Sequence, residues 1–80
     1  MKGSFEYPRE FFYPIEKNDD LELLLTVGID QKDDSFWVEC LIVLKENKTI
    51  FRSVGKKYKL EDESLAISEG MRLYRSYLRV

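Results

Sequence analysis

Ten residues at positions 35–44, SFWVECLIVL, constrain the fold more than any other stretch of the chain. Phe36, Val38, Cys40, Ile42 and Leu44 alternate with Trp37, Glu39, Leu41 and Val43. Successive residues of a β-strand point to opposite faces, so the first set makes a wholly apolar face. The second set carries a single charge among large apolar side chains, which is unusual for a sheet with one wet face. The strand therefore needs cover on its first face and raises the question of what meets its second.

The flanking segments supply neighbours for it. Residues 21–29 alternate in the same way, with Leu21, Leu23, Leu25, Val27 and Ile29 on one face and Glu22, Leu24, Thr26 and Gly28 on the other. Gly28 marks a bulge or the close approach of a neighbour. Residues 49–54 return as a third strand, with Ile50 and Val54 expected in the core around Arg52, and Phe51 on the outer face beside Trp37 and Val43. Gly55 is expected to end that ladder, leaving residues 56–59 as a basic connector with Tyr58 turned inward. Asn and Asp bond readily to their own nearby backbone, so KNDD at 17–20, DQKDD at 30–34 and KENK at 45–48 are read as turns.

Pro8 and Pro14 bracket an aromatic run in the N-terminal segment, residues 1–16. Proline cannot donate to a ladder, so this segment is an edge strand or an extended cover. Phe5, Tyr7, Phe11, Tyr13 and Ile15 all fall on odd positions, the period of an extended segment with one buried face.

The chain closes with a helix over residues 62–78. Glu61, Asp62 and Glu63 stand at its start and Arg72, Arg75 and Arg79 in its later turns, both placements favoured by the helix dipole. Asp62 is the expected N-cap, with Ser64 as the alternative. Ala66, Gly70, Leu73, Tyr77 and Val80 form one apolar stripe, and Ile67, Met71, Tyr74 and Leu78 a second beside it. Gly70 weakens a helix interior by about 1 kcal/mol, so close approach to the sheet is its expected reason. The fold expected is α+β: an antiparallel meander of three to four strands, with the sheet over 21–59 and one C-terminal helix packed on one face. At 80 residues the chain is read as a single domain, 1–80.

Few reaction classes fit these residues. The chain has no histidine and one cysteine, Cys40. That removes the commonest general base, any Cys-His or Ser-His pair, and the usual zinc set. The four glycines are scattered and make no phosphate loop. The acidic loop at 30–34 lacks the glycine and closing glutamate of a calcium loop. No enzyme activity, cofactor or metal is expected. The first ten residues lack the apolar core of a secretory signal, and no run nears the roughly 18 apolar residues of a membrane span. With no disulfide framework, a cytoplasmic location is expected, away from membranes.

Two surfaces stand out instead. Trp37, Leu41, Val43, Phe51 and Leu24, on alternate positions of neighbouring strands, form a candidate protein interface. The surplus apolar side of the helix, Met71 and Leu78, is expected to extend it. Lys56, Lys57, Lys59, Arg72, Arg75 and Arg79 form a candidate anion or nucleic-acid site. Charge is also divided along the chain. Residues 1–44 hold four Lys/Arg and ten Asp/Glu, net −6, and residues 45–80 hold nine and five, net +4. The expected function is a small protein-binding, adaptor or regulatory module, with a homodimer expected. The alternatives are nucleic-acid binding, and an accessory subunit of an enzyme complex.

Overall fold

The computed structural model describes residues 7–79. Four strands, β1 (Arg9–Pro14), β2 (Leu21–Ile29), β3 (Phe36–Leu44) and β4 (Ile50–Leu60), precede one helix, α1 (Glu63–Leu78). The strands form a single sheet in the order β1-β2-β3-β4, with every neighbour antiparallel. The α+β meander with a C-terminal helix is thus the observed fold, with Arg9–Pro14 of the N-terminal segment as a fourth strand at one edge.

The turns close as their residues dictate. Asn18 Oδ1 accepts from the Asp20 amide at 3.1 Å, and Asn47 Oδ1 from the Thr49 amide at 3.0 Å. In the acidic loop, Asp30 Oδ1 accepts from the Lys32 amide, and Asp33 Oδ1 from both the amide and the hydroxyl of Ser35. These carboxylates serve loop closure. Asp62 caps α1 as expected, its Oδ1 accepting from the Leu65 amide at 2.8 Å.

The alternation in β2 and β3 sorts their side chains onto two faces. Leu23, Leu25, Val27, Val38 and Cys40 are buried beneath Ala66 of α1, with Tyr7, Phe11, Tyr13 and Ile15 packed against the same cluster. Tyr7, Phe11, Tyr13 and Ile15 thus share one buried face, as the odd period predicts, and it lies on the helix side of the sheet, so these side chains do not cover the second face; Phe5 lies outside the described residues. Tyr7 meets Phe36 edge to face at 5.6 Å, and its hydroxyl reaches Glu63, which also pairs with Arg9. These contacts tie the start of β1 to the first turn of α1.

At Gly70 the helix comes close against the sheet. A Cβ there would lie 2.9 Å from one methyl of Leu25 and 3.0 Å from a methyl of Val38. Both apolar stripes of α1 are used on this face, since Ile67, Met71, Leu73 and Tyr74 all pack on the core. Met71 therefore does not extend the second face, and Leu78 is left exposed on the helix.

β4 departs from the expected strand. It runs on through residues 56–59 to Leu60, so these residues form strand rather than a connector. Its pairing with β3 is irregular at three places, between Phe36 and Val38, between Cys40 and Leu41, and between Ile42 and Val43. Each irregularity resets which residues face the helix. Ile50 pairs with Val43 and stands 60% exposed instead of joining the core, whereas Val54 does pack there. Tyr58 points outward, 56% exposed, because the strand continues where an inward-turning connector was expected.

Candidate interaction surface

The side of the sheet away from α1 is built in rows of paired residues. One row runs Pro14, Glu22, Val43, Ile50. The next runs Phe12, Leu24, Leu41, Ser53, and the third Glu10, Thr26, Glu39, Lys56. Beyond them Gly28 pairs with Trp37. The face thus has an apolar half, a polar band and then a lone indole.

Leu24, Leu41 and Val43 form one cluster, as the alternation required. All three are buried, Val43 completely. They are the floor of the surface rather than its contact points. Trp37 is separated from them by Glu39 on its own strand, and its ring lies flat over Gly28, 2.1 Å from where a Cβ would stand. Phe51, at the irregularity beside Ile50, is exposed. Two rim residues, Phe12 at 39% exposure and Ile50 at 60%, were not among the residues singled out from sequence. Phe12 was legible: with Phe11 and Tyr13 facing the helix, the residue between them must face away. Ile50 was not, because only the irregular pairing turns it outward.

Cations lie across the rings of this face. The Lys48 ammonium sits 4.6 Å from the Phe12 ring centre and bonds to Glu22. The Lys56 ammonium lies 5.1 Å from the Trp37 ring and 5.4 Å from that of Tyr58. Each of these rings thus has an attractive cation within reach of its face.

The basic residues do not come together as one patch. Lys56 is on the second face, while Lys57 pairs with Val38 on the helix face and lies 3.8 Å from Glu69. Lys59 is bonded to Asp33 at the end of the sheet. Arg72 shares Glu69 at 3.7 Å, and Arg75 and Arg79 are exposed on the last turns of α1. Adjacent strand residues point to opposite faces, which separates Lys56 from Lys57, and the break between Phe36 and Val38 sets Lys59 apart. The Lys59 ammonium, with the Ser35 hydrogen bonds, holds the Asp33 carboxyl well below the usual carboxylate range, and Asp33 in turn raises Lys59.

Elsewhere the chemistry is quiet. Cys40 is fully buried under the helix, and burial pushes its thiol up to about 11. Among the described residues no group of three His, Cys, Asp or Glu side chains is placed to hold a metal ion. A shallow depression of about 400 Å³ lies between two turns, lined by Asp19, Asp20, Leu44, Lys45 and Glu46. No helix among the described residues is long and apolar enough to cross a membrane.

Comparisons with protein-family models, with curated proteins and with solved structures found no match.

Proposed function

We propose that the chain is a small protein-binding module of adaptor or regulatory type, acting inside the cell through the second face of its sheet and without catalysis of its own. The observation that carries this reading is exposed Phe12 and Ile50, paired with Leu24 and Val43 of the buried floor, with exposed Phe51 next to Ile50 in the chain. Aromatic and aliphatic side chains over a rigid apolar floor are the usual anchors of a protein interface.

The sheet edges favour the face as the route of contact. β1 is short and ends in Pro14, and β4 carries three irregularities and the lysines at 56, 57 and 59. Prolines, bulges and lysines are the devices that stop strands adding at an edge. Contact through the open face remains.

The experiment places a photo-crosslinking amino acid at position 51, or at position 75 on the helix, in cells that naturally make the chain. Position 51 is expected to give a discrete adduct, with itself or with another protein, and position 75 none. Absence of any adduct at position 51 would overturn the reading.

A further inference from the structure

We infer that the second face receives a second copy of the same chain, related by a two-fold axis that runs parallel to the strands between the two sheets. This rests on reading that face as a binding surface. It follows from how charge and apolar residues are laid out across the rows.

The sheet order equals the chain order, so the charge division of the sequence becomes a division in space. The acidic half supplies β1, β2 and β3, and the basic half β4 and α1, so the strand basic residues Arg52, Lys56, Lys57 and Lys59 gather on one edge strand. A two-fold axis parallel to the strands lays each row of one copy over the same row of the other, in reverse. β1 then lies over β4. In the polar band, Glu10 of one copy faces Lys56 of the second copy, twice per dimer, and both side chains are exposed. In the apolar half, Leu24 faces Leu41 across the axis, and the exposed Phe12 comes onto the opposite edge near Ile50 and Phe51. An isologous contact must be self-complementary, and this rotation matches Glu10 with Lys56 and Leu24 with Leu41, while Glu39 meets the polar Thr26 and Glu22, bonded to Lys48, lies over Val43.

The other two-fold axis in that plane, perpendicular to the strands, gives β1 over β1 and β4 over β4. It sets Glu10 over the Phe12–Pro14 end, where the cation present is Lys48, already bonded to Glu22, and Lys56 over the Ser53–Ile50 end, which carries no carboxylate. Area also fits. The molecule is 40 × 26 × 16 Å. Its broad side therefore has a footprint on the order of 1,000 Å², against the roughly 800 Å² that each partner gives to a standard interface. Aligned packing of two sheets tolerates the ~30° rotation that their twist imposes.

The test measures the solution mass of the full chain by sedimentation equilibrium over a range of concentrations, for the wild type, Glu10→Lys and Lys56→Glu. The wild type is expected to be a dimer. Each variant places two like-charge contacts in its own dimer and is expected to weaken dimerisation about tenfold or more at low salt. Mixed one to one, the two variants regain both opposite-charge contacts, and dimer of near wild-type affinity returns. Both positions are exposed, and far-UV circular dichroism checks that each variant is folded. A monomeric wild type, variants that dimerise as the wild type does, or a mixture no stronger than its parts would each overturn the inference. A monomeric wild type that still crosslinks to another protein through position 51 would leave the binding-face reading standing.

Discussion

The ring of Trp37 occupies the space where a side chain on Gly28 would begin, with ring atoms 2.1 and 2.3 Å from the position of a Cβ. The two residues are directly paired on β2 and β3. Gly28 is thus the seat of the only tryptophan, and the indole takes its orientation on the second face from a missing side chain.

Gly28→Ala is expected to lift the ring off the sheet. Overpacking of this kind costs about 1–3 kcal/mol. Tryptophan fluorescence should shift to the red, and denaturant unfolding should show the loss. In a Trp37→Ala background the same change should be close to neutral. A cost that persists without the indole would show that something else fills the space.

Gly70→Ala sets two effects against each other. Alanine is the better helix former by about 1 kcal/mol. Its methyl would meet Leu25, itself fully buried, at 2.9 Å, and Val38 at 3.0 Å. The helix can make room only by moving off a close-packed sheet, so the variant is expected to be less stable by about 1–2 kcal/mol. Thermal unfolding of Gly70→Ala alone and with Leu25→Ala checks the cause, because the double variant should cost less than the sum.

Cys40 should be inert toward thiol reagents at pH 8 in the folded chain and reactive after denaturation. Its thiol is raised from about 9 to about 11 by burial, so the native state resists ionisation that the unfolded chain allows. The resulting stability is fully present below about pH 9 and is lost as pH rises toward 11. Unfolding curves of wild type and Cys40→Ala between pH 8 and 11 measure it. Tyr74, raised first by burial and then by Cys40, adds a loss of the same sign. The wild type should lose more stability across the window than the variant.

Lys59 holds a left-handed backbone, φ 60°, while its ammonium bonds to Asp33. Lys59→Gly relieves the backbone and removes the charge. Asp33, depressed in the folded state, favours folding above the unfolded carboxylate pKa near 4, and that contribution is lost as pH falls through its lower native value. Carboxyl titration by NMR should find the Asp33 value risen toward 4 in the variant. Acid unfolding should then depend less on pH below 4 than in the wild type. An unmoved Asp33 would show that the Ser35 hydrogen bonds alone set it.

Much of the fold was legible because strict alternation leaves no freedom. In β2 and β3 a slip of one residue would bury Glu22 and Glu39 under the helix, so the faces were settled by Leu23, Leu25, Val38 and Cys40. The odd-numbered aromatics of β1 were settled likewise. For the helix start the sequence favoured Asp62 over Ser64, and the structure places the cap at Asp62. Gly70 announced the close approach of the helix to the sheet, and Gly28 a bulge or a close neighbour, although not that the neighbour is Trp37. Of the five residues picked for the interface, the alternation correctly joined Leu24, Leu41 and Val43. It overstated their exposure, since neighbouring side chains rather than strand position decide how much of a floor residue solvent reaches.

The sequence by itself determined the alternating faces, the turns, the capped helix and the division of charge, because these follow from periods and residue types within a few positions. Only the tertiary structure decided β4. Three breaks in its pairing carry no signature that residues 50–60 display on their own, and they turned Ile50 outward and set Lys59 apart from Lys57. A bulge is a relation between two strands, so it is absent from either strand alone. The surface on which binding would turn, Phe12 with Ile50 and Phe51, joins the two ends of the sheet's strand order. It exists only once β2 and β3 have set those ends at their fixed separation.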